Sequence, residues 1–249
     1  MLGRQHLTLS FFSSIIVAGP LLRLDQVLFF VVVLGVCIGS LIPDIDAEDA
    51  AIFHFNVRGL NGDTGRILND FVAPMLPIFG YMTKYVIYRP LLFVFDKILF
   101  RKLSFSDKHR TFTHSVLGVT AITVVTGLLI GASSYLLGLF DPVIFSLFLV
   151  AYASGCFLHM LQDSCTRTGI AWNSPFSSKK LKGDIYTGKD FLKIHLFALV
   201  LGAMAFISLV VSLAGFTGLG VHRLFLTAFS SLLSIWMLFL VSVGVKVVE

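Results

Sequence analysis

Six long apolar segments constrain the fold of this chain more than any other feature of its sequence. They cover residues 7–22, 27–43, 113–139, 142–163, 190–214 and 222–247. A helix that crosses a lipid bilayer needs about 20 predominantly apolar residues. Charged residues make up only 13% of the chain, whereas a soluble domain carries about a quarter. We therefore predict an all-α polytopic membrane helical bundle of about six transmembrane helices, formed as a single domain over residues 1–249 and embedded in the lipid bilayer.

Residues 47–108 form a long insert between the second and third apolar segments. The first part of the insert is polar, and the second part is apolar but interrupted by Pro74, Pro77, Pro90 and several charges. This mixture is typical of amphipathic helices that lie in the membrane interface. We predict one or two interfacial helices in the insert, with a re-entrant hairpin as the alternative.

The distribution of basic residues predicts an orientation. If all six segments cross the membrane, only Arg23 and Arg223 of the 19 Lys and Arg residues lie on one side. The positive-inside rule makes the other side cytoplasmic, so both termini are predicted to be cytoplasmic in a cell (inner) membrane. This rule also accounts for the net charge of +5, and we expect no nucleic acid as a stable partner. The sequence pattern does not indicate an oligomeric state.

The N-terminus and the cysteines offer two further possibilities. Residues 1–19 have the charged start and short apolar core of a signal peptide, but the best cleavage site would leave Pro20 directly after the cut. We therefore expect His6 to stay in the protein. Cys37, Cys156 and Cys165 have no disulfide spacing, although Cys165 lies near a polar cluster and is a minor candidate for a soft metal ligand.

Histidine and aspartate residues are predicted to share one level at the cytoplasmic ends of the first four apolar segments. They are His6, Asp44, Asp46, His109, His114, His159 and Asp163. His159 and Asp163 are four residues apart and share a helix face, and ionisable groups within an apolar helix are usually functional. Each of the other fragments also fits a helix end or a solvated loop. Their coincidence on one side predicts a metal site.

The chemistry of this set favours a catalytic centre. Imidazole nitrogens and carboxylate oxygens suit a borderline divalent ion, with zinc preferred and manganese as the alternative. The candidates outnumber the three protein ligands of a typical catalytic zinc, so two ions are considered, as in enzymes that hydrolyse phosphoesters. Asp163, His114 and Arg110 are the candidate catalytic residues. Arg110 either neutralises a phosphate or faces lipid headgroups.

Other membrane-enzyme patterns are missing from the sequence. It contains no H-E-x-x-H and no G-x-S-x-G, so zincin-type proteases and α/β-hydrolases are unsupported. It also lacks the Ser-Gly-His element that accompanies H-x-x-x-D in lipid phosphatases of the vanadium-haloperoxidase type.

The order of the polar motifs resembles that of the YdjM-like membrane-bound metal-dependent hydrolases of bacterial and archaeal inner membranes. The matching elements are His6, LIPDID at 41–46, HRTFTHS at 109–115 and HMLQDSCTRTG at 159–169, with Thr166 and Gly169 in family positions. That family is thought to be distantly similar to zinc-dependent phospholipase C and related nucleases. The resemblance implies phosphoester hydrolysis on a helical scaffold.

Two positions depart from the pattern of this family. Thr111 stands where the family often has glycine, and Ala47 stands where it often has histidine. The second departure removes one implied ligand, which His54 or Glu48 could replace. The weaker histidines are His195, which lies near the predicted cytoplasmic face, and His222, which lies on the far side and is expected to be structural.

Three functions fit the predicted site. The first is a hydrolase that acts on a phosphoester, for example that of a phospholipid. The second is a metal-ion carrier or transporter, and the third is a non-catalytic scaffold in which the metal only ties helices together. Transport sites usually lie near the bilayer midplane, whereas these residues lie at one edge, which favours the hydrolase.

Overall fold

The computed structural model describes residues 1–53, 75–99, 110–214 and 218–248. The α-helices are α1 (Gly3–Ala18), α2 (Gln26–Gly39), α3 (Met75–Met82), α4 (Arg89–Val94), α5 (Val116–Leu136), α6 (Pro142–Ser164), α7 (Phe191–Ala214) and α8 (Val221–Ser242). The 3-10 turns Gly19–Arg23 and Pro43–Asp46 follow α1 and α2. Six of these elements, namely α1 and α2 with their turns and α5 to α8, are long and apolar enough to cross a membrane. The predicted all-α polytopic bundle is confirmed.

Several helix boundaries differ from the predictions by a few residues, and two of the differences are caused by single residues. The third apolar helix starts at Val116 rather than at 113, because the Ser115 side chain accepts a hydrogen bond from the Gly118 amide and caps it. The prediction that the last helix reaches residue 247 is wrong. Gly244 adopts a left-handed φ of 62°, and such a residue ends a helix. Strand β2 (Lys246–Val248) follows and pairs antiparallel with β1 (Lys180–Lys182).

Residues 75–99 of the insert are helical, whereas residues 47–53 form turns. Helix α3, a π-helical segment Thr83–Tyr88, α4 and a second π-helical segment Phe95–Leu99 follow one another without a break. The run packs against the Pro43–Asp46 turn and α5. It is not among the six candidate spans of the described residues, in agreement with the predicted helical insert. Residues 54–74 and 100–108 of the insert, including His54, lie outside the described residues.

The buried apolar residues form two clusters. One joins α1, α2, α7 and α8, and Leu9 and Leu201 are fully buried in it. The other joins the Pro43–Asp46 turn, the helical run, α5 and α6, and contains Ile45, Phe112 and Met160. The predicted ligands are sequence neighbours of members of both clusters. Both apolar clusters therefore help to hold the polar site in place.

Helices α2 and α6 pack more extensively than any other pair of described elements. A Cβ built on Gly39 would collide with the carbonyl oxygen of Tyr152, and one built on Gly155 would collide with the carbonyl oxygen of Val36. The two backbones are therefore in direct contact, which is typical of membrane helices that meet at small residues. This contact fixes the end of α2 beside the last turns of α6.

We expect Gly155→Ala to destabilise the protein by about 2–3 kcal/mol, since neither backbone can yield to the added methyl group. Its melting temperature in detergent should fall by roughly 5 °C or more. Gly202→Ala is the matched control, because a Cβ there would lie 3.4 Å from the Phe12 ring, an ordinary contact. Equal melting temperatures for the two variants would show that the contact of α2 with α6 is not tight.

Candidate metal centre

Five of the predicted ligands converge where α1 begins and α6 ends. They are His6 in the first turn of α1, Asp44 in the 3-10 turn after α2, His114 just before α5, and His159 and Asp163 on α6. Ligand atoms of His6, Asp44 and His159 lie within 4.8 Å of one another, as do those of His114, His159 and Asp163. Four separate stretches of chain thus supply one cluster.

The spacing of the ligand atoms is that of groups around a common ion. Oδ1 of Asp44 lies 3.4 Å from Nε2 of both His114 and His159. Oδ2 of Asp163 lies 3.5 Å from Nε2 of His114, and Oδ1 of Asp163 lies 3.3 Å from Nε2 of His6. Ordinary N–H···O hydrogen bonds are shorter. Ligands placed tetrahedrally on a zinc ion at about 2.0–2.1 Å are about 3.3–3.4 Å apart.

The outer nitrogens of two histidines fix how their rings face the cluster. Nδ1 of His159 lies 2.7 Å from the Ser40 carbonyl oxygen, and Nδ1 of His6 lies 2.8 Å from Oε1 of Gln162. The Gln162 amide is itself oriented, because its Nε2 donates to Ser10. Both partners of the histidines are acceptors, so each Nδ1 carries the proton. Each Nε2 therefore presents a lone pair to the cluster, as a metal ligand must.

His114 also carries its proton on Nδ1, because a chain of two hydrogen bonds links this nitrogen to Asp46. Oγ1 of Thr113 lies 3.1 Å from Oδ2 of Asp46 and 3.1 Å from Nδ1 of His114. An ionised carboxylate can only accept, so the hydroxyl donates to Asp46 and accepts the Nδ1 proton of His114. Burial lowers the pKa of His114 below its ordinary value, against the opposing effect of Asp44, and this favours the neutral ring.

Several atoms of the cluster are buried without a hydrogen bond. Within the described ranges, no hydrogen-bond partner reaches Nε2 of His6 or Nε2 of His159. A buried polar atom left in this state costs about 1–3 kcal/mol. Neutral imidazole nitrogens and carboxylate oxygens suit a divalent transition metal, so the buried His/Asp groups fit a metal ion.

Asp46 and Arg110 lie beside the converging atoms. Asp46 belongs to neither group of possible ligands. Its Oδ2 accepts hydrogen bonds from the Thr113 hydroxyl and, at 3.2 Å, from the Arg110 amide.

The Arg110 guanidinium pairs with Asp163, with Nε 3.2 Å from Oδ2, and donates to Thr168. Arg110 also has a φ of 69°, a left-handed conformation that non-glycine residues seldom adopt outside turns and functional sites. The amino group of Met1 donates to Oδ1 of Asp163 at 2.5 Å.

The remaining candidates from the sequence are His54, His109, Glu48, His195, His222 and Cys165. His109 and His54 are outside the described residues. Glu48, His195 and His222 are exposed and belong to neither group. Cys165 is buried, which raises the pKa of its thiol to about 12, and its Sγ donates to the Leu161 carbonyl oxygen. It belongs to neither group of possible ligands among the described residues.

The loop after α6 covers this end of the bundle. Thr166 donates to the Asp163 carbonyl oxygen at 2.7 Å and caps α6. Gly169 has a φ of 58°, and a Cβ on it would collide with the Leu181 carbonyl oxygen. Trp172 donates to Ser164, and its carbonyl oxygen accepts from the Val116 amide. These contacts explain the T-x-x-G spacing and tie the loop to the start of α5, next to His114.

The sequence reasoning did not identify three supporting groups. Gln162 could have been found by the signal that singled out His159, because a polar side chain within an apolar helix is costly. Thr113 was noticed only as a flanking residue. The Ser40 carbonyl oxygen belongs to the main chain, so its identity as a partner depends on the contact between α2 and α6 alone.

A model of the YdjM inner membrane protein family matches residues 1–245. The chain belongs to this family. No curated protein and no solved structure matches it. Together with the six candidate spans, membership makes this YdjM family protein a multi-pass inner membrane protein, and it confirms the resemblance found in the motifs.

We expect Thr113→Val in this YdjM family protein to weaken metal binding about 10–100-fold, the usual effect of removing the partner of a ligating histidine. Thr113→Ser keeps the hydroxyl and should bind metal like the wild type. Competition with a chelating dye measures both affinities. If the valine and serine variants bind zinc equally well, the relay from Asp46 does not orient His114.

Proposed function

We propose that this protein is a membrane-embedded, metal-dependent hydrolase that cleaves phosphoester bonds at the cytoplasmic face of the inner membrane. The observation that carries the proposal is the convergence of three imidazole lone pairs and two carboxylates beside an arginine. Zinc is the ion that this donor set suits best, with manganese as the second choice.

The position of the cluster supports an enzyme rather than a carrier. His6 is in the first turn of α1, and His159 lies about 8 Å from the end of α6. The midplane of the hydrocarbon core lies about 15 Å from its edge, and transport sites lie near it. The cluster near the edge of the bundle therefore does not lie where a transport site usually lies.

The exposure of the side chains indicates where a substrate approaches. Asp44 and Arg110 are 17% and 21% exposed, whereas His114, His159 and Asp163 are fully buried. Bulk water and substrate therefore reach the cluster from the side of Asp44 and Arg110. The other ligands are shielded, and this strengthens their electrostatic interactions.

We further propose one ion per chain. His159 belongs to both groups of possible ligands, but its Nδ1 is committed to Ser40 and its Nε2 has one lone pair. It can therefore serve only one ion, and the two groups cannot both be complete. A single ion bound by His159 can draw its other ligands from Asp44, Asp163, His6 and His114, with one position left open to the Asp44 side. The alternative of two ions, with further ligands from outside the described residues, predicts twice the metal content.

The residues divide into holding and substrate-binding roles. His6, His114, His159, Asp44 and Asp163 would hold the ion, which when bound lowers the pKa of a water molecule and polarises a phosphoryl oxygen. Arg110 has five N–H donors, and its contacts with Asp163 and Thr168 leave at least two of them. These donors lie on the accessible side and would bind the oxygens of the phosphoryl group as negative charge develops.

We expect the wild type to contain one equivalent of divalent metal per chain and to hydrolyse at least one member of a phosphodiester panel. His159→Ala should lose the metal and at least 100-fold of the activity, because it removes a ligand of the only ion. His222→Ala, an exposed histidine at the start of α8, is the control. Metal content is measured by mass spectrometry of the purified protein.

The same measurement separates the alternatives. Stoichiometric metal with no hydrolysis of any substrate would favour a carrier or scaffold, and uptake of metal into proteoliposomes would then identify the carrier. Protein that contains no metal and keeps its stability in chelator would contradict the site itself.

Arg110→Lys should keep the full metal content and reduce kcat/KM for a phosphodiester about 100-fold, because removal of a positioned donor to a developing oxyanion has this effect and lysine cannot replace the planar fork. Arg110→Ala should be at least as impaired. If either variant loses the metal in proportion to the activity, Arg110 supports the ligands rather than the substrate.

A further inference from the structure

The two-stranded sheet carries three lysines on one face. In the antiparallel register, Lys182 of β1 lies directly opposite Lys246 of β2. Side chains alternate between the faces of a strand, so Lys180 shares the face of this pair, and Leu181 and Val247 lie on the other face. We call the surface formed by Lys180, Lys182 and Lys246 the lysine face.

This arrangement places like charges together without compensation. Like charges directly opposite one another on neighbouring strands destabilise a sheet. Within the described part of the chain, no carboxylate lies within ion-pair distance of these three amines. Besides these three lysines, the segments 165–193 and 243–249 contain four Lys and Arg residues and three Asp and Glu residues. The net charge of the surroundings therefore does not neutralise the lysine face.

The position of the lysine face is fixed by the backbone. The amide of Leu181 donates to the Ile170 carbonyl oxygen at 2.9 Å, which joins β1 to the loop after α6. A Cβ on Gly169 would also collide with Cγ of Lys182, so the stem of this lysine lies against the main chain. A charge that is already ordered loses less entropy when it binds a ligand.

The sheet lies close to the end of the membrane helices. Helix α8 ends at Ser242 and β2 begins at Lys246, so three residues separate them, and the four steps from Ser242 to Lys246 span at most about 14 Å. The polar layer on each side of a bilayer is roughly 5–8 Å thick. The chain itself therefore keeps the lysine face within reach of the headgroups.

We propose that the lysine face binds the phosphate groups of anionic phospholipids in the leaflet on the same side as the metal centre. A basic residue near an anionic leaflet is attracted to it through the surface potential, and a phosphate between Lys182 and Lys246 removes their mutual repulsion. The lysine face is separate from the metal ligands, and the proposal holds whether or not the protein is a hydrolase.

The test compares the full chain, delipidated in a neutral detergent, with and without added phosphatidylglycerol or phosphatidylcholine. In detergent alone, Lys182→Gln/Lys246→Gln should melt at the same temperature as the wild type or about 2 °C higher, because the repulsion is gone. Phosphatidylglycerol should raise the melting temperature of the wild type by roughly 2–4 °C more than phosphatidylcholine does. The double variant should lose most of this difference.

The matched control is Lys189→Gln/Lys193→Gln, which removes the same charge from exposed positions near the start of α7. It should keep the response to phosphatidylglycerol, and 0.5 M salt should abolish the response of the wild type, since screening is strong at that ionic strength. Native mass spectrometry should show fewer retained phosphatidylglycerol molecules only for the Lys182/Lys246 variant.

Three outcomes would overturn the proposal. Equal responses to the two lipids would exclude a site for anionic headgroups. An equal loss in both double variants would assign the effect to net charge rather than to the lysine face. Full stabilisation by inorganic phosphate at millimolar concentration, in the absence of lipid, would show a site for a free anion.

Discussion

The backbone contact between α2 and α6 is the constraint on which the rest of the site depends. Helices in a bilayer gain little from hydrophobic attraction to one another, so steric fit decides how they pack. Gly39 and Gly155 allow two carbonyl-bearing surfaces to touch. The carbonyl oxygen of Ser40, the residue that follows α2, then lies 2.7 Å from Nδ1 of His159. Asp44 follows one turn later, and its carboxylate lies beside the same imidazole. The close packing of α2 and α6 therefore determines which groups surround the His159 ring.

The supporting hydrogen bonds give the three histidines a common protonation pattern by three different means. A main-chain carbonyl oxygen serves His159, a side-chain amide serves His6, and a hydroxyl that donates to Asp46 serves His114. In each case the acceptor holds the proton on Nδ1 and leaves Nε2 for the cluster. The carboxylates and Arg110 then balance charge in a region that water hardly enters. The cluster is therefore arranged so that it could bind a cation.

The sequence was sufficient to predict the spans and most of the His and Asp residues that converge, for clear physical reasons. Long apolar runs have one stable form in a bilayer, and the i, i+4 spacing of His159 and Asp163 places both on one helix face. The ligands His6, Asp44 and His114 could be grouped only through the predicted sidedness of their helices. Residue type alone did not show that Asp46 supports Thr113 rather than joining the converging atoms, because that depends on three-dimensional contacts.

The errors at helix ends have a related cause. The valine-rich C-terminus is apolar enough to continue a helix, but Gly244 turns the chain and β1 provides a partner strand. Likewise, His114 was assigned to the first turn of α5, but Ser115 caps the helix one residue later. Hydropathy records how apolar a stretch is, whereas caps and strand partners decide where it ends. These features depend on single residues and on pairing with distant parts of the chain.

The separation of the ligands along the chain has a consequence for how the protein is made. His6 and Asp44 lie in the first helical pair, whereas His159 and Asp163 come from the end of α6. A nascent chain that has not yet delivered α6 to the membrane therefore holds an incomplete ligand set. The converging His and Asp donors are therefore complete only after the fourth of the six candidate spans has been made.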